Sequence, residues 1–188
     1  VEENMNRLFS GAHSNGKAHN KERERAAKIE QYVKRFYETS PEGERERLHY
    51  DLHTAIRDSK REKFAVYPFT HGKPYNKHQL QFLLACGVDT VLLNQAPTTT
   101  FSYFSVNEFN AHAFTVELGK VRPFGENDRS KFAAAEQTLR RLISEDSLDF
   151  GSFEPNKHFI FKEAQTINRM NEDFELNFAD DVANFTSF

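Results

Sequence analysis

The chain has no tryptophan and one cysteine in 188 residues. A single cysteine excludes an internal disulfide framework. Its setting, "LLACGV", reads as core, so a reducing, cytoplasmic compartment is the default for Cys86. Long apolar runs are missing as well. No stretch approaches the roughly 20 residues that a membrane-crossing helix needs, and no signal-peptide pattern stands out. An excess of one charge sign is also missing. The formal net charge is −3, which argues against a broad nucleic-acid surface. No internal repeat or low-complexity tract interrupts the chain. What it does have is phenylalanine. With 19 Phe, the core must be built largely from Phe with Leu, Ile and Val.

The length fits one domain, or one domain plus part of another. The chain opens at Val1 in a polar run and stops at "NFTSF". It is therefore expected to be a piece of a longer chain, lacking its N-terminal part and with an incomplete end.

Residues 1–19 read as loop. Asn20 is a capping residue type, and "KERERAAKIEQYVKRFYET" (21–39) follows with Ala26, Ile29, Val33, Phe36 and Tyr37 on one face. Its charged start is expected to be a solvated face. Strands are expected at 48–56 ("LHYDLHTAI"), 63–69 ("KFAVYPF"), 89–95 ("DTVLLNQ") and 112–119 ("HAFTVELG"). Helices are expected at 76–87 ("NKHQLQFLLACG"), stopped by Gly87, and at 127–146, capped by Asn127 or Asp128. Residues 96–110 carry no clear pattern. The alternation implies an α/β fold: a mixed sheet flanked by helices. From about residue 147 the character changes. "DSLDFGSFEPN" is turn-rich, and "HFIFKEAQTINR" (158–169) and "FELNF" (174–178) read as strands. The expected organisation is a catalytic α/β domain over 1–150 and the start of a smaller β-rich domain over 156–188.

In open α/β sheets ligands bind outside the carboxyl ends of strands. Two expected strands deliver ionisable groups there, His53 and Glu117. An imidazole holds a metal, and a carboxylate moves a proton from attacking water to the leaving group. Taken singly, each residue is more often structural. The histidines of "GAHSNGKAH", His13 and His19, suggest a metal loop. They lack the companion glutamate, however, and a zinc site needs three well-placed protein ligands, so a polar loop is the expectation.

Five stretches, in order, resemble the succinylglutamate desuccinylase/aspartoacylase family: "NRLFSG" (6–11), "ERERAAKIE" (22–30), "YDLHTAIR" (50–57), "FTVELGKVRPFGEND" (114–128) and "FELNFADDVANFTSF" (174–188). The resemblance covers essentially the whole chain. It implies a zinc-carboxypeptidase-like fold and one zinc ion per subunit. It also implies a small-molecule substrate, N-succinyl-L-glutamate, cleaved to succinate and L-glutamate in arginine catabolism. His53 matches the family's third zinc ligand. Glu117 matches the catalytic glutamate, first general base and then general acid. Asn6 and Arg7 match the pair that holds a substrate carboxylate, a task suited to a planar guanidinium. Beside these, Asp51 stands two residues before His53 on the same side of the strand and either orients a ligand or forms a structural ion pair. Arg57 either meets the second carboxylate of a succinyl group or is a surface charge, and Lys120 and Arg122 are either cations at the mouth of the site or ordinary loop charges.

The sequence departs from the family in one respect. The other two zinc ligands, from a His-x-x-Glu motif, and an arginine that polarises the scissile carbonyl are expected upstream of Val1. Three rival readings stand beside the desuccinylase. One is a relative cleaving another acyl-amino acid, aspartoacylase-like, or a metallocarboxypeptidase. The second is a non-catalytic binding module of the same fold. The third, nucleic-acid binding by the "KERERAAK" helix, is disfavoured by the net acidic charge. Neither a membrane nor nucleic acid is an expected partner, and the oligomeric state is left open.

Overall fold

The structure is a computed structural model. It describes all residues except 1, 17, 18, 168–170, 172, 176, 180 and 188. Among the described residues four α-helices form: α1 (Lys21–Tyr37), α2 (Lys77–Ala85), α3 (Phe101–Phe109) and α4 (Ala133–Ser144). Five strands form among them: β1 (Leu48–Ala55), β2 (Phe64–Tyr67), β3 (Thr90–Leu93), β4 (His112–Lys120) and β5 (Phe159–Lys162). The strands make a five-stranded sheet in the order β1-β4-β2-β3-β5. The fold class is therefore the expected one, a mixed α/β sheet with helices flanking it. The unassigned segment contains α3, capped by the Thr100 side chain, which accepts from the N–H of Tyr103.

The chain divides into two compact units. The first holds residues 1–51, 67–75 and 94–115. Its core gathers Leu8, Phe9, Ala26 and Phe104, with Met5, Ile29, Val33, Phe101 and Phe109 against them. Each buried aromatic or leucine here contributes about 1.5–3 kcal/mol. The α1 stripe is thus used as the periodicity requires, with one correction. Phe36 is 70% exposed, while Tyr37 beside it is buried against Phe109 with its hydroxyl donating to the Leu48 carbonyl at 3.0 Å, so the buried stripe ends on Tyr37 and not on Phe36.

A second correction concerns the charged start of α1. Arg23 is buried. Its Nε and Nη2 donate to the Glu3 carboxylate at 2.5 and 2.8 Å, and its Nη1 donates to the carbonyls of Ala12 and His13 at 3.2 and 3.0 Å. The neighbouring Glu24 and Lys28 do form the exposed i,i+4 pair that a solvated face predicts.

The second unit holds residues 52–66, 76–93 and 116–188. Asn76 caps α2 by accepting from the N–H groups of His78 and Gln79. Gly87, with φ +78°, ends the segment in the left-handed conformation expected of it. Leu80, Phe82, Leu83, Val88 and Val91 are buried, as is Cys86. Burial pushes the Cys86 thiol up to about 12, the behaviour of a packing residue rather than a nucleophile. The helix expected at 127–146 begins as a 3-10 turn, Arg129–Phe132, and becomes α4 at Ala133. Asp128 caps that turn, accepting from the N–H and hydroxyl of Ser130 at 3.0 and 2.7 Å. These bonds hold its carboxyl below the usual range.

β5 pairs in parallel with β3, Thr90 beside Phe159 and Leu93 beside Lys162. The first strand after the turn-rich linker thus joins the same sheet. Among the described residues beyond 147, β5 is the one strand. The longer strand expected over 158–169 reaches residues outside the described ones, and the strand expected over 174–178 includes such a residue at 176. A smaller β-rich domain is not seen among the described residues. Among them, too, no helix is long and apolar enough to cross a membrane.

Candidate active site

β1 and β4 are neighbours in the sheet, and their end bonds fix direction and register. The N–H of His112 donates to the Arg47 carbonyl at 2.8 Å, and the N–H of Val121 donates to the Ala55 carbonyl at 2.9 Å. Both partners advance together, so the strands run parallel. In a parallel pair, the first bond sets Arg47 beside Ala111. Tyr50 then falls beside Phe114, and their rings do stack, 6.1 Å apart at 8°. Continued without a shift to the carboxyl ends, that register sets His53 beside Glu117. Side chains alternate along each strand, so the two project to one face at the carboxyl ends of adjacent strands. By the far end β4 has gained one residue on β1, Val121 meeting Ala55, and Gly119, just before that bond, holds φ +136°.

His49, Asp51 and His53 alternate along one face of β1. His49 is the member that sequence reasoning left without a role. Its Nδ1 lies 2.8 Å from the Ser105 hydroxyl, and its ring meets Phe101 edge-on at 4.3 Å. Burial is the main cause holding its imidazolium below the ordinary range, opposed by the charge of Asp51. The H-x-D-x-H spacing was the available signal, because period two places all three on one side.

In the first unit, Asn6 and Arg7 lie in a one-turn 3-10 helix, Met5–Arg7, started by the Asn4 side chain. Asn6 is tied into the fold: its Oδ1 accepts the N–H of Phe101, at the start of α3, at 2.8 Å. That leaves the Asn6 amino group to face another acceptor. Arg7 is exposed, and its Nη1 donates to the Asn6 carbonyl at 2.7 Å, which folds the guanidinium back over the turn. Phe9 anchors the same segment through its N–H to the Thr99 carbonyl.

His53 borders an open cleft of about 490 Å³ walled by Leu52, Thr54, Leu118, Asn127 and Phe132. Its other residues from β1, Leu52 and Thr54, alternate with His53 along the strand. Lys120 is exposed and ion-paired with Asp58 at 2.5 Å. Its charge is largely compensated. Arg122 borders a smaller cavity of about 280 Å³ that also takes in Lys131, Glu62, Glu126 and Asp128, so the local potential there is mixed. His13 is held locally: its Nε2 lies 3.2 Å from Glu30 and its Nδ1 2.9 Å from the Ser14 hydroxyl, while His19 is exposed.

The donor chemistry bears on zinc. Among the described residues no group of three or more His, Cys, Asp or Glu side chains could hold a metal ion. His53 offers one imidazole of the three protein ligands that a catalytic zinc takes. The described residues therefore fit one corner of such a site.

Residues 1–143 match the family model described as succinylglutamate desuccinylase/aspartoacylase catalytic domain. The succinylglutamate desuccinylase of Idiomarina loihiensis is 81% identical over 188 residues, covering 100% of this chain and 55% of the relative. The solved succinylglutamate desuccinylase of Chromobacterium violaceum superposes with a TM-score of 0.86 at 43% identity, covering 99% of this chain and 56% of that one. The corresponding Vibrio parahaemolyticus structure gives 0.87 at 37%, covering 100% and 53%. The chain spans about half the length of the relatives it matches.

Proposed function

This chain belongs to the succinylglutamate desuccinylase/aspartoacylase family, and from that premise we propose that it carries part of the centre of a zinc-dependent amide hydrolase. The substrate is N-succinyl-L-glutamate, cleaved to succinate and L-glutamate during arginine catabolism in the cytoplasm. The relatives named for this reaction support the substrate. The observation that carries the reading is the register setting His53 beside Glu117 at the carboxyl ends of β1 and β4.

His53 would be one ligand of the zinc, and in this reading the other two belong to the part of the relatives' length that this chain does not span. When bound, the ion would supply a Lewis acid for the scissile carbonyl and the attacking water. Glu117 accepts the proton of the attacking water at its carboxylate. It then delivers that proton to the nitrogen of the departing glutamate, so no net proton is lost. Asn6, through its free amino group, and Arg7, through its guanidinium, hold a substrate carboxylate and orient the amide. Asp51 and the neutral His49 steady the β1 face from which His53 projects. The domain division of this proposal is the expected one, 1–150 and 156–188, with β5 as the strand from which the second segment leaves the sheet.

A substrate panel tests the reading. N-succinyl-L-glutamate, N-acetyl-L-aspartate and a C-terminal dipeptide are offered to the natural protein, and bound zinc is counted in parallel. Selective release of succinate with one zinc per chain, and loss of that zinc in His53→Ala, is the expected result. Preference for another acyl group, or full zinc in His53→Ala, contradicts it.

A further inference from the structure

The loop 56–63 leaves β1 three residues past His53, just beyond the last bond between β1 and β4 at Ala55 and Val121. It is held instead by the far end of the chain. The N–H of Asn184 donates to the Asp58 carbonyl at 2.8 Å, and the N–H of Lys60 donates to the Asn184 carbonyl at 3.0 Å. These two bonds make a parallel bridge between Ser59 and Asn184. The next residue, Phe185, has φ +61°, a left-handed conformation that side-chain-bearing residues avoid. Its ring gives the reason for tolerating it. The ring lies against Phe64 of β2 at 5.1 Å, edge-on, and against Phe161 of β5 at 5.0 Å. Turning the backbone at Phe185 sets the ring against residues of β2 and β5, the strands on either side of β3, while Asn184 keeps both bonds to the loop. From the other side, the Asp58 carboxylate takes Lys120, three residues beyond Glu117, and Glu62 takes Lys131.

The geometry points to Phe185 as a positioning residue for the hydrolase. Its ring anchors residues 183–186 as a strap. The strap fixes the backbone of Asp58–Lys60, and so sets Arg57 and the Asp58–Lys120 pair at the carboxyl ends of β1 and β4. Phe185 touches no reacting atom. It acts by removing the ordering cost that a free loop would add each time an anionic substrate binds. This rests on the hydrolase reading for its substrate but not for the strap itself. The expected signature is on KM rather than on the chemical step.

The test compares Phe185→Ala, Phe185→Leu and Asn184→Pro in the natural protein. Asn184→Pro removes the N–H that reaches Asp58 and leaves the ring in place, so it serves where Phe185→Ala fails to fold. Phe185→Ala and Asn184→Pro are each expected to raise KM for N-succinyl-L-glutamate about tenfold, with kcat changed less than about threefold. Hydrogen exchange at the Lys60 amide should accelerate about tenfold or more in both, and Phe185→Leu should restore most of each effect. Faster exchange with KM within about twofold of wild type overturns the positioning role. Unchanged exchange at Lys60 overturns the strap. A wild type that leaves N-succinyl-L-glutamate intact counts against the hydrolase reading alone, and the exchange rates then still decide whether residues 183–186 hold the loop.

Discussion

The side-chain oxygen of Asn6 accepts the backbone N–H of Phe101 at 2.8 Å. One bond thus ties the turn carrying Arg7 to the first residue of α3. Asn6→Ala is expected to do two things at once. Losing a cap-like bond should lower unfolding free energy by about 0.5–2 kcal/mol. Releasing the turn should also raise KM for the carboxylate substrate more than it lowers kcat. Urea unfolding and steady-state kinetics on one preparation check both. Unchanged stability would mean that the bond is replaced by water at no cost.

Arg23 and Glu3 make a bidentate ion pair with the Arg23 side chain only 5% exposed. Removing one partner strands the other. Arg23→Ala is therefore expected to destabilise more than removing either partner of an exposed pair. Arg23→Lys should recover little, because a single ammonium cannot serve a carboxylate and two carbonyls with the same fork. Chemical denaturation of the two variants decides it. A loss equal to that of an exposed α1 pair such as Glu24 and Lys28 would contradict the burial argument.

His49 is expected to be neutral in the folded protein at neutral pH. Burial pushes its value below the ordinary 6.5. The unfolded chain therefore binds a proton that the folded chain refuses, and the sign follows. The stability it contributes is complete above about 6.5 and is lost as pH falls through the lower folded value. Unfolding free energy measured from pH 5 to 8 should climb with pH, and the climb should flatten in His49→Gln, which keeps a partner for Ser105. Identical slopes would remove His49 as the source.

Much of the layout was legible in the sequence. The helix at 21–37 could be read because Asn20 is a capping residue and Ala26, Ile29 and Val33 recur at helical spacing. β1 and β4 showed the apolar character of buried strands. The α3 helix was not legible, since "APTTTFSYFSVNEFN" mixes β-preferring aromatics with no clean period, and its start is fixed by Thr100 and by the distant Asn6. Nor could the burial of Arg23 be read. A charge run looks solvated until Glu3, 20 positions away, folds back onto it. β5 looked like the opening of a separate layer because strand partners are chosen in three dimensions, and its pairing with β3 spans nearly 70 residues. At the candidate centre, sequence resemblance supplied the roles of His53 and Glu117. The structure adds that the strands carrying them, β1 and β4, are neighbours in the sheet.

The turnover of N-succinyl-L-glutamate by Glu117→Gln, with bound zinc counted on the same sample, tests the central claim most directly. The substitution keeps the shape of the side chain and removes its capacity to accept and return a proton. A fall in kcat of about 10²–10⁴-fold with zinc content unchanged is expected. Turnover close to wild type, with the metal in place, would take Glu117 out of the proton-transfer role and leave the pairing of β1 and β4 without its proposed chemical purpose.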